Sequence, residues 1–161
     1  MTARSSKRIE LTILSDEAND IAEAIRQRIA DNNDFIGADG LPLLTLKKIA
    51  QCPEDVNPET VTVLLADPDL ASRIIDTCSA LTWCPSTWAG NAPLLNADKK
   101  NYILTGLKGI FGKLMREYVF AYLLGHARNV KAFEQNQRAA QPIWEASKRM
   151  PLNGQTLGIA G

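Results

Sequence analysis

Histidine is almost missing from this chain. There is one, His126, among 161 residues. Metal-assisted hydrolysis needs several nitrogen or oxygen ligands converging on an ion. A single imidazole in Leu124-Gly125-His126-Ala127-Arg128, beside a guanidinium that opposes a cation, is a poor start. His126 is therefore expected at a surface or a helix end, with no metal and no catalytic role. Cysteine is scarce too: Cys52, Cys78 and Cys84 are odd in number and lack metal-ligand spacing, which points to a reduced, cytoplasmic protein. Cys78 is expected in the core and Cys84 in an open loop, with only His126 to serve as its base. No apolar run approaches the roughly 20 residues of a membrane helix. Ile9-Glu10-Leu11-Thr12-Ile13-Leu14 is too short and polar for a signal-peptide core. Net charge is also absent, the formal balance being +0, and this argues against a DNA or RNA binder.

The charge that exists is uneven. Residues 1–98 hold 8 Lys/Arg against 15 Asp/Glu, while residues 99–161 hold 10 against 3. The halves either neutralise each other by packing or steer an acidic partner to the C-terminal half. The 45% hydrophobic content suits a soluble globular chain with a sizeable core.

Element signals read as a string of helices. Ile9, Leu11 and Ile13 alternate with polar residues and permit one strand or an extended arm. Ser15 is a candidate N-cap for a helix carrying Ala18, Ile21, Ala22, Ile25 and Ile29 on one face, ending near Asn32. Leu41-Pro42 opens a second helical segment through Leu43, Leu46, Ile49 and Ala50, stopped at Cys52-Pro53. Asn57-Pro58-Glu59 predicts a third helix reaching Leu65. Asp67-Pro68-Asp69 begins a fourth, fading near Leu81, with Asp67 capping and Pro68 in the first position. Residues 82–95 read as a loop holding Trp83 and Trp88. A fifth helix is capped by Asn96 or Asp98, with a break or close crossing at Gly106, Gly109 and Gly112. A buried sixth carries Leu114, Val119, Ala121 and Leu124, and a last one runs from about Lys131 to Met150 around Pro142. The expected class is all-α, a compact multi-helix domain, with residues 1–40 as arm and first helix and 41–161 as the main helical domain.

Few motifs carry chemistry. Asp67 and Asp69 resemble paired carboxylates, but helix entry explains both. Gly109-Ile110-Phe111-Gly112-Lys113 is not a phosphate loop, since Gly106 and Gly112 are separated by five residues and Leu114 stands where Ser or Thr would bind the metal. Gly154 to Gly161 lacks dinucleotide-fingerprint spacing. Trp83, Trp88 and Trp144 are either core plugs or anchors for a ligand or partner, and Lys108, Lys113 and Arg116 form a basic stripe.

Leu41-Pro42, Ile49, the Pro58 segment, Asp67-Pro68-Asp69-Leu70 with Arg73-Ile74-Ile75, Gly106-Leu107-Lys108-Gly109-Ile110 and Ile143-Trp144-Glu145-Ala146-Ser147 follow one another in a characteristic order. On these residues the chain, from Leu41 to Gly161, resembles the HDOD domain, the HD-related output domain of bacterial signalling proteins. Ala146 stands where that family has a histidine, Thr105 replaces a usual leucine and Asn101 a usual alanine. Leu157-Gly158-Ile159-Ala160-Gly161 resembles the start of a segment that continues in the family as Leu-Leu-His-Asp, so the domain is expected to be C-terminally incomplete. The resemblance implies an all-α fold related to HD phosphohydrolases without their metal-binding dyad. The expectation is a non-catalytic regulatory module in signal transduction, without a cofactor, acting through other signalling proteins or a small ligand such as a nucleotide. Trp83, Trp88, Lys108, Lys113, Arg116 and Trp144 form its candidate surface; Ser15, Asn57, Asp67 and Pro68 are structural caps. A divergent metal-dependent phosphohydrolase and a nucleotide-sensing domain are the alternatives.

Overall fold

The computed structural model describes residues 8–146 and 151–160. It is not all-α. Five parallel strands form one sheet in the order β2-β1-β3-β4-β5: β1 is Ile9–Leu14, β2 Leu44–Ala50, β3 Val63–Ala66, β4 Trp83–Pro85 and β5 Ile103–Thr105. The α/β class replaces the helical one for a physical reason. Strands of a parallel sheet are covered on both faces and read as short continuous apolar runs, which periodicity alone does not separate from buried helix.

Along β1, Leu11 and Ile13 turn to one face and pack with Ala18 and Ala22 of the first helix, α1 (Ala18–Ala30), beside Val63. Leu14 turns to the other, where Leu64, Ala66, Leu70, Ile75, Cys78, Cys84 and Leu94 form a second core. That face is covered by two single-turn helices, α2 (Pro68–Ala71) and α3 (Ala92–Leu95), and by a 3₁₀ turn at Ile75–Thr77.

The strand at Ile9–Leu14 and the helix behind it follow the sequence expectation, although the N-cap position falls to Glu17 rather than Ser15. Ser15 still serves the entry: its hydroxyl accepts the Glu17 N–H at 3.1 Å and its carbonyl accepts that of Ala18 at 3.0 Å. The expected second helix is β2. Its register against β1 slips between Leu11 and Thr12, so that Leu46 pairs with Leu11, Lys48 with Thr12, and Lys47 is left over as a bulge. Leu44, Leu46 and Ile49 therefore pack into the same core, although even alternation from Leu46 would have put Lys48 there. The i, i+3 step from Leu46 to Ile49 imitates a helix.

The third expected helix is only a 3₁₀ turn, Pro58–Thr60, before β3; Asn57 caps it, its side chain accepting the Glu59 N–H at 3.2 Å. The fourth begins at Pro68 as expected but stops at Ala71. Hydroxyls of Ser72 and Thr77 donate to the Asp69 and Ile74 carbonyls, each at 2.7 Å, competing with helical continuation. The expected loop at 82–95 contains β4 and α3, and the fifth helix is replaced by β5.

The chain divides into two compact units, Met1–Lys108 and Gly109–Gly161. The second holds α4 (Gly112–Ala127) and α5 (Val130–Arg138), joined through Asn129 in the left-handed region at φ 52°. The sixth expected helix exists as α4 but is not buried: Leu114, Met115, Tyr118, Phe120 and Tyr122 are all exposed, and within the helix only Ala127 is buried. The last expected helix ends at Arg138, before Pro142; residues 147–150 of that expectation lie outside the described residues.

Candidate functional site

In an open parallel sheet, ligands bind beyond the carboxyl ends of the strands where the winding reverses. Here the chain winds outward from β1 to β2 and then returns to the other side of β1, so the reversal lies between β1 and β3. Among the described residues, three of the four buried polar side chains, Ser15, Asp67 and Ser86, sit at that carboxyl edge. The fourth, Thr12, lies within β1.

The strand exits are knitted into one rim. The N–H of Ser15 donates to the Ala50 carbonyl at 3.1 Å, that of Asp67 to Leu14 at 3.0 Å, that of Thr87 to Ala66 at 3.0 Å and that of Ser86 to Thr105 at 2.7 Å. Asp67 lies across the reversal. One carboxylate oxygen accepts the Asp16 N–H at 2.9 Å, and the other accepts a hydrogen bond from the Thr87 hydroxyl. Asp67 occupies the N-cap position of α2, yet its side chain makes no capping bond. Its sequence role as a helix cap is corrected accordingly. Pro68 does take the first helical position.

Beyond Thr87 the β4–α3 loop is held by Ser86, whose hydroxyl donates to the Trp88 carbonyl at 3.1 Å and accepts the Trp88 N–H at 3.0 Å. The Trp88 carbonyl also accepts the Leu107 N–H at 3.2 Å. The next residues, Ala89 and Gly90, are exposed, and their N–H groups find no acceptor among the described residues. Adjacent unpaired amides on a fixed loop are suited to a small anion such as a carboxylate. Asn91 follows, with its side-chain oxygen buried and unpaired. Gly106 packs directly on it: a Cβ there would stand 2.8 Å from Asn91 Nδ2.

The β1 exit has a different character. Ser15-Asp16-Glu17 presents carboxylates and no glycine. A dinucleotide's pyrophosphate needs a glycine-rich turn at that exit, so these residues do not fit one. Among the described residues, no three His, Cys, Asp or Glu come together as a metal group would require.

The sequence-derived surface is divided between the units. Trp83 is half-buried on β4, its indole N–H donating to the Thr105 hydroxyl at 3.0 Å, and it packs against the α1-side core. Trp88 is 44% exposed on the rim loop, and Lys108 ends the first unit. Lys113 and Arg116 are exposed on α4, and Trp144 is exposed beyond α5. Of these six, Trp88 alone adjoins the free amides in sequence. Cys84, expected in an open loop, is fully buried, and burial pushes its thiol up to about 12, with Cys78 adding to the rise. It is no nucleophile at neutral pH. His126 is exposed near the end of α4, inside the second unit.

No family model matches the chain, and no curated protein does. A solved structure, a D-isomer specific 2-hydroxyacid dehydrogenase family protein from Aeromonas salmonicida subsp. salmonicida A449, superposes with a TM-score of 0.72 at 28% identity over 92% of this chain. The two share a fold. This likeness and the parallel sheet overturn the HDOD resemblance, and with it the signalling-module, phosphohydrolase and nucleotide-sensor readings. The chain spans 44% of that dehydrogenase's length. Among the described residues no helix is long and apolar enough to cross a membrane.

The signal for this rim was present in the sequence. Cys84-Pro85-Ser86-Thr87 followed by Ala89-Gly90 is a short apolar strand running into hydroxyl and small residues, the composition of a ligand loop after a parallel strand. Trp83 and Trp88 flank it with bulk, and the open backbone lies just beyond them.

Proposed function

We propose that this chain supplies the acid-recognising part of a 2-hydroxyacid dehydrogenase-type protein, holding the carboxylate of a small 2-hydroxy or 2-oxo acid on the N–H groups of Ala89 and Gly90. The observation that carries the reading is the shared fold, 28% identical over 92% of the chain, with a protein bearing that family name. Two features of the rim support it. The loop offers unpaired donors at the carboxyl edge, where two hydrogen bonds to a charged acceptor contribute about 1.5–3 kcal/mol each. The acidic β1 exit disfavours a phosphate-rich ligand on the same rim, which leaves a small monoanion as the better match. Hydride chemistry requires a redox cofactor, and because this sheet's first turn does not fit a dinucleotide, the residues described here are assigned binding and orientation only.

The test is a titration of the full chain with D-lactate and with pyruvate, followed by amide NMR and by tryptophan fluorescence. Saturable shifts centred on Ala89 and Gly90, absent with inorganic phosphate at equal ionic strength, are expected. A response confined to other residues, or none up to tens of millimolar, refutes the proposal.

A further inference from the structure

We propose that Asp67 and Thr87 form a positioning latch that sets the direction of the Ala89 and Gly90 amides. The proposal rests on the reading of those amides as the acid's seat, but its test includes a readout that needs no ligand.

Asp67 is only 6% exposed, and a buried carboxylate is tolerated when both oxygens are hydrogen-bonded. An aspartate at the entry of a helix ordinarily spends its oxygens on that helix's own N–H groups. Asp67 does not. It reaches outward on both sides of β3, to Asp16 N–H after β1 and to the Thr87 hydroxyl after β4. Thr87 is thereby fixed twice to the β3 exit, by its side chain to Asp67 and by its N–H to the Ala66 carbonyl at 3.0 Å. The segment then has two further anchors before the backbone opens at Ala89, the two-way bond between Ser86 and Trp88 and the Leu107 N–H on the Trp88 carbonyl. Only Trp88 separates the latched Thr87 from the first free amide. A torsional change at Thr87 is carried into the seat with little to absorb it, because the Trp88 carbonyl is also tied to Leu107. Neither Asp67 nor Thr87 needs to touch the acid.

Thr87→Val keeps the branched shape and removes the hydroxyl, leaving one Asp67 oxygen without its donor. Thr87→Ser restores the hydroxyl and is the rescue. In the Val variant, the Ala89 and Gly90 amide resonances are expected to shift or broaden without ligand, and D-lactate affinity to fall at least ten-fold, the loss expected when misdirection costs the acid one of its two charged hydrogen bonds. The Ser variant is expected to return both to wild-type behaviour. Should the Val variant not fold, Asp67→Asn serves the same test. It keeps size and one acceptor, and a several-fold weaker affinity with displaced Ala89 and Gly90 signals is expected. Unmoved Ala89 and Gly90 resonances in a folded variant overturn the latch. So does an equal affinity loss in the Val and Ser variants, which would report packing. A wild-type protein that ignores D-lactate, while the Val variant still displaces both amides, defeats the acid seat and leaves the latch standing.

Discussion

Gly106→Ala is the perturbation whose size follows most directly from the geometry. The added Cβ would meet Asn91 Nδ2 at 2.8 Å, the Ala89 carbonyl oxygen at 3.4 Å and the Trp88 carbonyl oxygen at 3.5 Å. The two carbonyls are at ordinary contact distance, so the conflict is with the Asn91 amide alone. Relief to about 3.5 Å requires that group to move by about 0.7 Å. The group is the end of a side chain rather than backbone, which puts the cost near the low end for overpacking, about 1 kcal/mol. Such a loss lowers Tm by about 4–8 °C in a unit of this size. Asn91→Ala alone is expected to be close to neutral. Its oxygen is buried without a donor, so truncation removes an unpaired acceptor and breaks no side-chain hydrogen bond. In the Asn91→Ala background the Gly106→Ala cost should therefore vanish, giving a coupling of about 1 kcal/mol in a double-mutant cycle. Urea titration of the four proteins, read by tryptophan fluorescence, measures it. Equal Gly106→Ala costs in both backgrounds, or a loss above about 2 kcal/mol for Asn91→Ala alone, would refute the reasoning, since the first means that the amide is not the group in the way and the second that Asn91 is not unpaired.

Leu64→Ala, in a fully buried position on a central strand, is expected to cost about 2–5 kcal/mol in the same denaturation assay. Thiol labelling of the native protein at pH 8 should modify exposed Cys52 and spare Cys78 and Cys84, whose thiols burial pushes upward; all three should react in denaturant. Mass spectrometry counts the adducts, and rapid native labelling of Cys84 would contradict its place in the core. The Asp39 carboxyl is held below its usual 3.8, first by the Leu41 N–H and next by Arg8. Its contribution to stability is accordingly present above 3.8 and lost as pH falls through the lower folded value. Carboxyl-detected NMR of Arg8→Ala should show only part of that depression relieved, because the Leu41 bond survives. Lysine at both Leu114 and Tyr122 is expected to lower the binding of a hydrophobic dye to α4, a helix whose apolar side chains are exposed along its length. Unchanged dye fluorescence would mean that those side chains are already covered.

The legible parts of the fold were those where local signals and packing agree. β1 alternates, and α1 carries its apolar residues at helical spacing, so both could be read. β2 was not legible because Lys47 is an extra residue in the ladder, and that single insertion turns a two-residue repeat into a three-residue step. β3 was not legible because Val63, Leu64 and Ala66 are buried on a strand with both faces covered, leaving no polar alternation to count. Asp67-Pro68-Asp69 does mark a helix entry, but the helix it opens stops at Ala71. The Asp67 carboxylate is used across the sheet, a long-range bond of fifty-one residues' separation that no local pattern encodes. The free Ala89 and Gly90 amides have no side-chain signature of their own, and Cys84-Pro85-Ser86-Thr87 just before them is the trace of the loop that the sequence carries.

The extra residue in β2 also bears on how the molecule meets its own copies. β2 is an outer strand, and an outer strand offers unpaired backbone groups on which another chain can extend the sheet. The bulge interrupts the regular spacing of those groups, and its Lys47 is drawn into an ion pair with Glu10 at 2.8 Å while Lys48 stays exposed beside it. A straight foreign strand would have to match an irregular ladder and accept the exposed Lys48 ammonium on the way in. The same irregularity that hides β2 from a reader of the sequence thus hides it from neighbouring strands, and deleting Lys47 is where solubility, before stability, would be expected to fail.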